Sequence, residues 1–192
     1  ETSESWEIGL SKGFFDDRLH FQSALFWEDL IDEIKTVFLP SFESTVINND
    51  SRSERNGLEL SLYSQLTNSL SASGSYTYLD ASEPDASGNN RTEIRRPKNQ
   101  WSGQVDYSFM DNKTNLNVII NHIGDRRDID FSTGDRLTLD DYTLVNVSMN
   151  YQYNNTLKLF ARVNNLLDEE YQDVFGFETS DISALAGIEI RL

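Results

Sequence analysis

Hydrophobic and polar residues alternate along most of this chain, and the alternation has a period of two. The segment WSGQVDYSF places apolar or small residues at every second position from Trp101 to Phe109 and polar residues between them. Segments that begin at Leu70 and Val145 repeat the pattern. Because successive side chains of a β-strand point to opposite faces, these segments are predicted to be half-buried strands.

The chain is predicted to contain nine such strands, joined in turn by short and long connections. The strands are expected near residues 5–13, 18–31, 55–66, 70–80, 97–110, 114–124, 141–153, 156–164 and 183–192. Short polar turns are expected at Asp16-Asp17, Thr67-Asn68-Ser69, Asp111-Asn112-Lys113 and Asn154-Asn155, and long polar segments near residues 32–55, 80–96, 124–141 and 164–181. The alternation of short turns with long segments is typical of an antiparallel up-and-down meander. A Greek-key sandwich has short and long connections in a less regular order.

Aromatic residues lie near the ends of the apolar face of several strands. Tyr151 and Tyr153 precede one short turn, and Tyr107 and Phe109 precede another. A membrane barrel places aromatic rings at both membrane interfaces, and its inward face is polar because it meets water. The same polar side chains would be costly in the packed core of a soluble sandwich. A transmembrane barrel is therefore favoured, and a soluble β-sheet binding module stays as the alternative.

The composition narrows the class of protein further. The chain has 192 residues, 38% of them hydrophobic, and a mean hydropathy of −0.53. It has no cysteine, which excludes disulfides and thiolate sites, and its net charge of −16 argues against nucleic acid as a partner. Complete bacterial barrels have an even number of strands, so either one strand is miscounted or the chain is part of a larger barrel. Its first residue, Glu1, also suggests a processed product or part of a longer chain.

The sequence predicts no catalytic, cofactor or metal site, and hence no enzyme. His20 and His122 are the only imidazoles, and both are expected to be structural, His20 on a polar strand face and His122 near a strand end. Adjacent carboxylates such as Asp140 and Asp141 point to opposite faces of a strand, so they are expected to solvate turns and loops. The segment GDRRDIDFSTGD lacks the spacing of an EF-hand loop, which leaves calcium binding as a minority alternative.

Motifs along the chain resemble those of TonB-dependent outer-membrane receptors. The segment FARVNNLLDEEYQDVFGF resembles the end of their barrels, where an Asn-Leu-Phe/Leu-Asp-x-x-Tyr element and a Gly-Phe/Tyr pair precede the last strand. In this chain the element is the Asn-Leu-Leu-Asp-x-x-Tyr run from Asn165 to Tyr171, and the pair is Gly176-Phe177. The opening Glu-x-Ser-x-x-x-Glu-x-Gly, the segment SERNGLELSLYSQL and the segment RRPKNQWSGQVDYSF are similar to earlier strands of the family. The resemblance covers essentially the whole chain, in the family's order.

The resemblance implies an all-β fold, an antiparallel up-and-down transmembrane β-barrel. Residues 1–192 would be its C-terminal part, about nine strands of a 22-stranded barrel, with the plug domain absent. The barrel would lie in the bacterial outer membrane, in contact with lipid and lipopolysaccharide, and would reach TonB through the missing N-terminal part. The last residue, Leu192, departs from the family, which usually ends in an aromatic residue.

The resemblance also implies active transport of a scarce small-molecule nutrient without chemical change. Segments such as NHIGDRRDIDF look most like the cobalamin transporter branch, so the expected ligand is cobalamin or a related metal chelate. A ferric-siderophore receptor is the alternative. Two long loops are expected to offer charge and stacking surfaces to an anionic or corrin ligand, through Arg126, Arg127, Phe131, Phe175 and Phe177. The same side chains could instead only order the loops. The residues expected to face the plug are Lys158, Phe160, Arg162 and Asn164.

Overall fold

The computed structural model describes residues 1–38, 43–85 and 87–191, and every regular element in them is a β-strand. The strands are β1 (Thr2–Phe14), β2 (Leu19–Phe38), β3 (Ser44–Gln65), β4 (Leu70–Pro84), β5 (Asn90–Thr92), β6 (Asn99–Phe109), β7 (Thr114–Ile123), β8 (Arg126–Ile129), β9 (Arg136–Leu139), β10 (Tyr142–Gln152), β11 (Leu157–Asn164) and β12 (Ser183–Ile190). In this part of the chain, no helix is long and apolar enough to cross a membrane.

The main sheet is an antiparallel meander whose neighbouring long strands follow the order of the chain. Its order is β1-β2-β3-β4-β6-β7-β10-β11-β12, with β5 paired to β4 beside this path. Strands β8 and β9 form a separate hairpin. The nine long strands are those predicted from the alternation, so the all-β up-and-down fold is confirmed. In the described residues the sheet stays open, with β1 and β12 at its two edges.

The short connections all lie at one end of the sheet, which we call the short-turn end. Two of them have the same geometry, because Arg18 N donates to Phe15 O at 3.2 Å and Lys113 N donates to Met110 O at 3.1 Å. The two central residues of each turn have positive φ, at Asp16-Asp17 and at Asp111-Asn112. This is a type I′ turn, which matches the twist of a hairpin, and Asp and Asn adopt its left-handed backbone more readily than most residues.

The long connections contain more strand than their polarity predicts. Residues 32–55 were expected to be a loop, but β2 continues to Phe38 and β3 begins at Ser44. The ladder passes a bulge beside Asp32, whose φ is 57°, and then resumes at the Glu33–Asn49 pair. Antiparallel pairing uses only backbone groups, so polar side chains do not end it. The loop prediction is therefore wrong over most of this segment, and its residues 39–42 lie outside the described part.

The register places like residues side by side across the sheet. Val105 of β6 lies opposite Val118 of β7, Val118 lies opposite Val147 of β10, and Val147 lies opposite Val163 of β11. We call the side of the sheet that carries this row the apolar face. The neighbouring row lies on the other side, the polar face, and consists of Asp106, Asn117, Ser148 and Arg162.

The apolar face lacks the cover that a soluble protein would give it. Large side chains are widely exposed on β1, where Trp6 is 78% and Ile8 is 69% accessible. Among the described residues, the buried hydrophobic side chains are only Leu30, Ala81, Leu139 and Tyr142. Contiguous exposed apolar side chains on several neighbouring strands mark a surface that meets a partner or a membrane. The sheet therefore has the surface of a protein whose apolar face meets hydrocarbon.

Two rows of aromatic residues border the apolar face. Tyr107 and Phe109 lie near the short-turn end with their rings stacked 5.2 Å apart. At the opposite end, which we call the long-connection end, Trp101 stacks on His122 at 5.4 Å, and His122 Nδ1 lies 3.0 Å from Thr143 Oγ1. His122 thus belongs to the apolar face, while His20 lies on the polar face opposite Gly13 and Tyr63.

Side chains of the polar face are hydrogen-bonded to one another along and across the strands. Asp106 accepts hydrogen bonds from Gln104 Nε2 at 2.7 Å and from Asn117 Nδ2 at 2.8 Å. The hydroxyl groups of Ser75 and Ser102 lie 2.8 Å apart. A wet barrel wall tolerates such groups, because water satisfies the lone pairs and protons that the neighbours leave free.

The last strand alternates as predicted. Ala184, Ala186, Ile188 and Ile190 pair with the apolar-face residues of β11, from Val163 to Leu157. Leu192, at which the sequence departs from the family pattern, lies outside the described residues.

The assignment of the two faces predicts unequal penalties for charge. Val118→Arg should lower the free energy of unfolding of the full-length protein in a bilayer by about 2–4 kcal/mol, because it places a cation in hydrocarbon near the midplane. Its neighbour Asn117→Arg should cost far less, because Asp106 lies opposite on the polar face. Equal penalties in refolding titrations with lipid vesicles would contradict the assignment.

Candidate functional site in the long connections

The carboxylate of Asp128 joins three long connections. Asp128 lies in β8 and is completely buried. Its Oδ1 accepts hydrogen bonds from Arg95 Nε at 2.9 Å and from its neighbour Ile129 N at 2.8 Å, and its Oδ2 accepts one from Phe175 N at 2.7 Å. One side chain therefore ties the connection between β4 and β6, the β8–β9 hairpin and the connection between β11 and β12.

The surroundings of Asp128 keep its carboxyl charged. Burial acts to raise its pKa, but the hydrogen bonds from Phe175 N, Ile129 N and Arg95 outweigh burial and hold the pKa below its usual range. The backbone supports the same junction, because Arg95 N donates to Arg127 O at 2.7 Å. Arg95 also lies over the ring of Phe131, with 5.3 Å from its guanidinium carbon to the ring centre.

Arg126 makes a second attachment between the same segments. Its guanidinium is buried, donates to the carbonyl of Gln172 and to Asp173 Oδ1, and lies 5.2 Å from the centre of the Tyr142 ring. The Tyr142 hydroxyl donates to the same Asp173 Oδ1 at 2.7 Å, and its ring packs 4.3 Å from that of Tyr171. The connection between β11 and β12 is thus fixed to the start of β10.

Ion pairs fasten the connection between β4 and β6 to the strands beside it. Arg55 of β3 binds Glu93 through two hydrogen bonds of 2.9 Å, a paired arrangement that restricts orientation as well as distance. Arg136 of β9 lies 3.1 Å from Glu83 of β4, which also pairs with Arg91 of β5. The β8–β9 hairpin is therefore tied to the end of β4 through Arg136, in addition to its bonds through Asp128.

The Asn-Leu-Leu-Asp element closes the base of the last connection. Asn165 is buried with a φ of 50°, and its amide accepts from Glu169 N and donates to Glu169 O, both at 2.9 Å. Asp168 Oδ1 accepts from Ile182 N at 2.9 Å. These bonds place the start of β12 beside the end of β11. An asparagine suits this position because it tolerates the left-handed backbone and supplies both a donor and an acceptor.

A cleft of about 710 Å³ lies between the β9–β10 segment and the last connection. Tyr171 and Phe175 give it aromatic surface, while Thr138 and Gln172 give it neutral polar groups. Its carboxylates are Asp140, Asp141, Glu170, Glu178 and Asp181. The described residues hold no compact group of three or more histidine, cysteine or carboxylate side chains that fits a metal ion. The volume of the cleft lies in the range of small-molecule sites, and its lining is mostly polar.

The five predicted ligand contacts lie at this end of the sheet, but in different surroundings. Phe175 lines the cleft, Phe131 and Phe177 are exposed, and Arg127 donates to Thr138 Oγ1. Arg126 is buried in the network and does not line the cleft. Sequence reasoning missed Asp128 as the junction and Tyr171 as a lining residue. Tyr171 belongs to the Asn-Leu-Leu-Asp-x-x-Tyr element, so this motif could have identified it as a candidate residue of the site.

The four residues predicted to face the plug lie on the polar face of β11, and three of them have partners there. Lys158 lies 3.5 Å from Glu189, and Asn164 Nδ2 donates to Ser183 Oγ at 3.2 Å. The ring of Phe160 covers Gly187, where a side chain would overlap it. In the described part of the chain, Arg162 has no ion pair or side-chain hydrogen bond, and it is exposed.

Removing the charge of Asp128 should release the last connection. Asp128→Asn puts an amide N–H where the carboxylate accepts hydrogen bonds, so local opening of residues 168–181 should become easier by about 2 kcal/mol. Hydrogen exchange of the full-length protein measures this directly. Asp125→Asn removes an exposed charge nearby and should leave exchange unchanged. Equal exchange in both variants would show that Asp128 does not hold the connections together.

Acid should have the same effect as the Asp128 variant. The folded state lowers the pKa of Asp128, so its stabilisation is complete above the ordinary carboxyl value of 3.8 and is lost as the pH falls through the lowered value. Protease cleavage within residues 168–181 should therefore accelerate below about pH 4 in the wild type. In Asp128→Asn, cleavage of the same segment should already be fast above this pH and should depend less on pH. A wild-type cleavage rate that stays constant through this range would contradict the prediction.

Comparison with known proteins places this architecture in a family. Residues 1–166 match the family described as TonB dependent receptor-like, beta-barrel. The vitamin B12 transporter BtuB of Vibrio vulnificus is 42% identical over 79 residues, which are 41% of this chain and 12% of that protein. BtuB of Vibrio cholerae is 30% identical over 84 residues, which are 43% of this chain and 13% of that protein.

Solved structures share the fold at low sequence identity. The ferripyoverdine receptor FpvA of Pseudomonas aeruginosa superposes with a TM-score of 0.78 at 19% identity, over 98% of this chain and 27% of that one. The ferric-catecholate import receptor Fiu of Escherichia coli gives a TM-score of 0.78 at 20% identity, over 98% and 27%. This chain thus spans a small part of the proteins it matches. With the family match over most of its length, it belongs to the TonB-dependent receptor-like β-barrel family and lies in the bacterial outer membrane.

Proposed function

We propose that residues 1–192 are the C-terminal part of the barrel of an active outer-membrane transporter for cobalamin or a related metal chelate. The observation that carries the proposal is the preformed cleft beside the Asp128 junction, at the long-connection end of a family barrel sheet. The similarity to BtuB of Vibrio vulnificus supports the choice of ligand. Energy would reach the barrel from TonB through a part of the protein that precedes this sequence.

The lining of the cleft favours one class of ligand over another. Five carboxylates and no basic side chain line it, so it would repel an anionic chelate. Tyr171 and Phe175 offer ring surface to a large, flat and uncharged macrocycle such as a corrin. This argues for cobalamin over an anionic ferric siderophore, although siderophore receptors share the fold. Arg127, Phe131 and Phe177 would complete the ligand-binding surface, while Arg126 would hold the loop that carries Phe175.

The apolar face would carry the contacts with the membrane. Its band of aliphatic residues would meet acyl chains, and the aromatic row at the long-connection end would meet lipopolysaccharide. At that end Lys98 lies 5.5 Å from the centre of the Tyr78 ring and 3.1 Å from Asp80. No chemical change of the ligand is proposed, because transport needs only binding and release.

The polar face of β11 would contact the plug of the intact receptor. Lys158 and Asn164 already have partners in the sheet, whereas Arg162 is exposed and unpaired in the described residues. A lone cation on a barrel wall is stabilised by a carboxylate on whatever fills the lumen. We therefore assign Arg162 as the plug contact of the four.

Binding to the full-length receptor tests the ligand. Cyanocobalamin should bind, and Phe175→Ala should weaken binding about tenfold, equivalent to the loss of one aromatic contact of ~1.4 kcal/mol. Phe15→Ala removes an exposed ring at the short-turn end and should not change the affinity. If a ferric catecholate binds and cyanocobalamin does not, the proposal that cobalamin is the ligand is wrong, while the proposal that the protein is a receptor is supported. Equal affinities in the two variants would refute the role of the cleft.

Conductance in planar bilayers tests the plug contact. Arg162→Ala should insert normally into the membrane but seat the plug less firmly, so single-protein conductance should rise above that of the wild type. Lys158→Ala breaks a pair within the sheet and is the matched control, with conductance near wild type. If the Lys158 variant leaks and the Arg162 variant does not, the assignment is wrong.

A further inference from the structure

A groove of about 480 Å³ crosses the apolar face near the short-turn end, away from the cleft. Its apolar-face lining comes mainly from Phe109, Met149, Tyr151, Leu159 and Ala161, with Met110 at the adjoining turn. Met149 is 43% and Met110 63% exposed, so the groove is open in the described structure. Almost no polar surface lines it apart from Thr114, whose hydroxyl is directed to the Met110 sulfur at 3.5 Å.

A small residue, Ala161, lies among larger side chains of β10 and β11 in the groove. Ala161 of β11 lies opposite Met149 of β10 on one side and opposite Ala186 of β12 on the other. The next apolar-face pair towards the turn, Tyr151 and Leu159, is much larger. The small side chain of Ala161 beside these larger ones leaves the depression. A flat apolar face makes similar contacts with any lipid. A depression makes more contacts with one chain that fits into it than the flat surface around it does.

The position of the groove determines which lipids can reach it. Barrels of the outer membrane have short turns on the periplasmic side, so this end of the sheet lies in the inner leaflet. That leaflet consists of glycerophospholipids, whereas lipopolysaccharide occupies the outer leaflet. The row of Phe109 and Tyr151 marks the depth at which head groups begin.

Charges at the mouth of the groove suit a zwitterionic head group. The turn between β6 and β7 carries Asp111 and Lys113, both exposed and without an ion pair in the described residues. Met110 and Thr114, which flank these two residues in the chain, both line the groove. An ammonium group would pair with Asp111 and a phosphate with Lys113, while an acyl chain fills the groove beneath them.

We infer that this groove is a binding site for one inner-leaflet phospholipid with a phosphoethanolamine head group. Its acyl chain lies over Ala161 between Met149 and Leu159, and its head group lies at the Asp111–Lys113 turn. A retained lipid there covers the depression at Ala161 between β10 and β11. The site is independent of the transported ligand.

Native mass spectrometry of the full-length receptor, extracted from outer membranes and washed in delipidating detergent, tests the site. The wild type should keep one phosphatidylethanolamine molecule. Ala161→Trp fills the groove and should reduce retention about tenfold, because several methylene groups lose their burial. Ala72→Trp makes the same change on the apolar face of β4, outside the groove, and should retain the lipid. Lys113→Glu should also lower retention, because it removes the phosphate contact.

Several outcomes would overturn the inference. Equal retention in Ala161→Trp and Ala72→Trp would show that lipid adheres to the whole apolar face without a site. Retention of phosphatidylglycerol or lipopolysaccharide instead would refute the head-group assignment. A wild-type dimer that Ala161→Trp converts to a monomer would show that a second copy covers the groove. Folding is checked in each variant by the heat-modifiable shift of the barrel on gels.

Discussion

A strand in a bilayer must pair all its backbone groups with its neighbours, because hydrocarbon offers them no water. This requirement organises the chain into nine long strands, each paired antiparallel with the next along the main sheet. The pairing also fixes the side chains, since a slip of one residue would exchange the two faces of a strand. The row from Val105 to Val163 and the row from Asp106 to Arg162 exist only in the observed register. Everything else in the structure, including the cleft and the groove, is placed by this ladder.

The long connections are stabilised by different interactions, because they lie in water beyond the sheet. Few hydrophobic side chains, among them Leu139 and Tyr142, are buried there, and buried ions add to them. Asp128 gathers hydrogen bonds from Arg95, Ile129 and Phe175, and Arg126 repeats the arrangement at Asp173. Such junctions are costly to break, since removal of one partner leaves a buried charge without its counterpart. The connections are therefore fixed relative to one another, and under the proposed function this would reduce the entropy lost when a ligand binds.

The sequence predicts the sheet well and the site poorly, for a physical reason in each case. Alternation with a period of two follows from the pleat itself, so every long strand and short turn could be placed from residues such as Trp101 to Phe109. The extension of β2 and β3 could not, because backbone pairing leaves no mark in polar side chains. Asp128 is one of the four aspartates in the segment GDRRDIDFSTGD, but its partners Arg95 and Phe175 lie 33 residues before it and 47 residues after it. Such contacts depend on how the connections fold over the sheet. The element that begins at Asn165 could be recognised as a motif, and the structure shows that its hydrogen bonds place the start of β12 beside the end of β11.

The placement of the cleft, the plug contact and the groove depends on which side of the sheet meets lipid. The chain contains no cysteine, so single cysteines can be introduced along β7 from Leu116 to Ile120 in the full-length protein and labelled with a nitroxide. In lipid vesicles, oxygen should relax the spins at Leu116, Val118 and Ile120, while a water-soluble nickel chelate should relax those at Asn117 and Ile119. An accessibility that alternates in this way, including the apolar Ile119 on the polar face, is the predicted result. Chelate access at all five positions, or oxygen preference at Ile119, would contradict it.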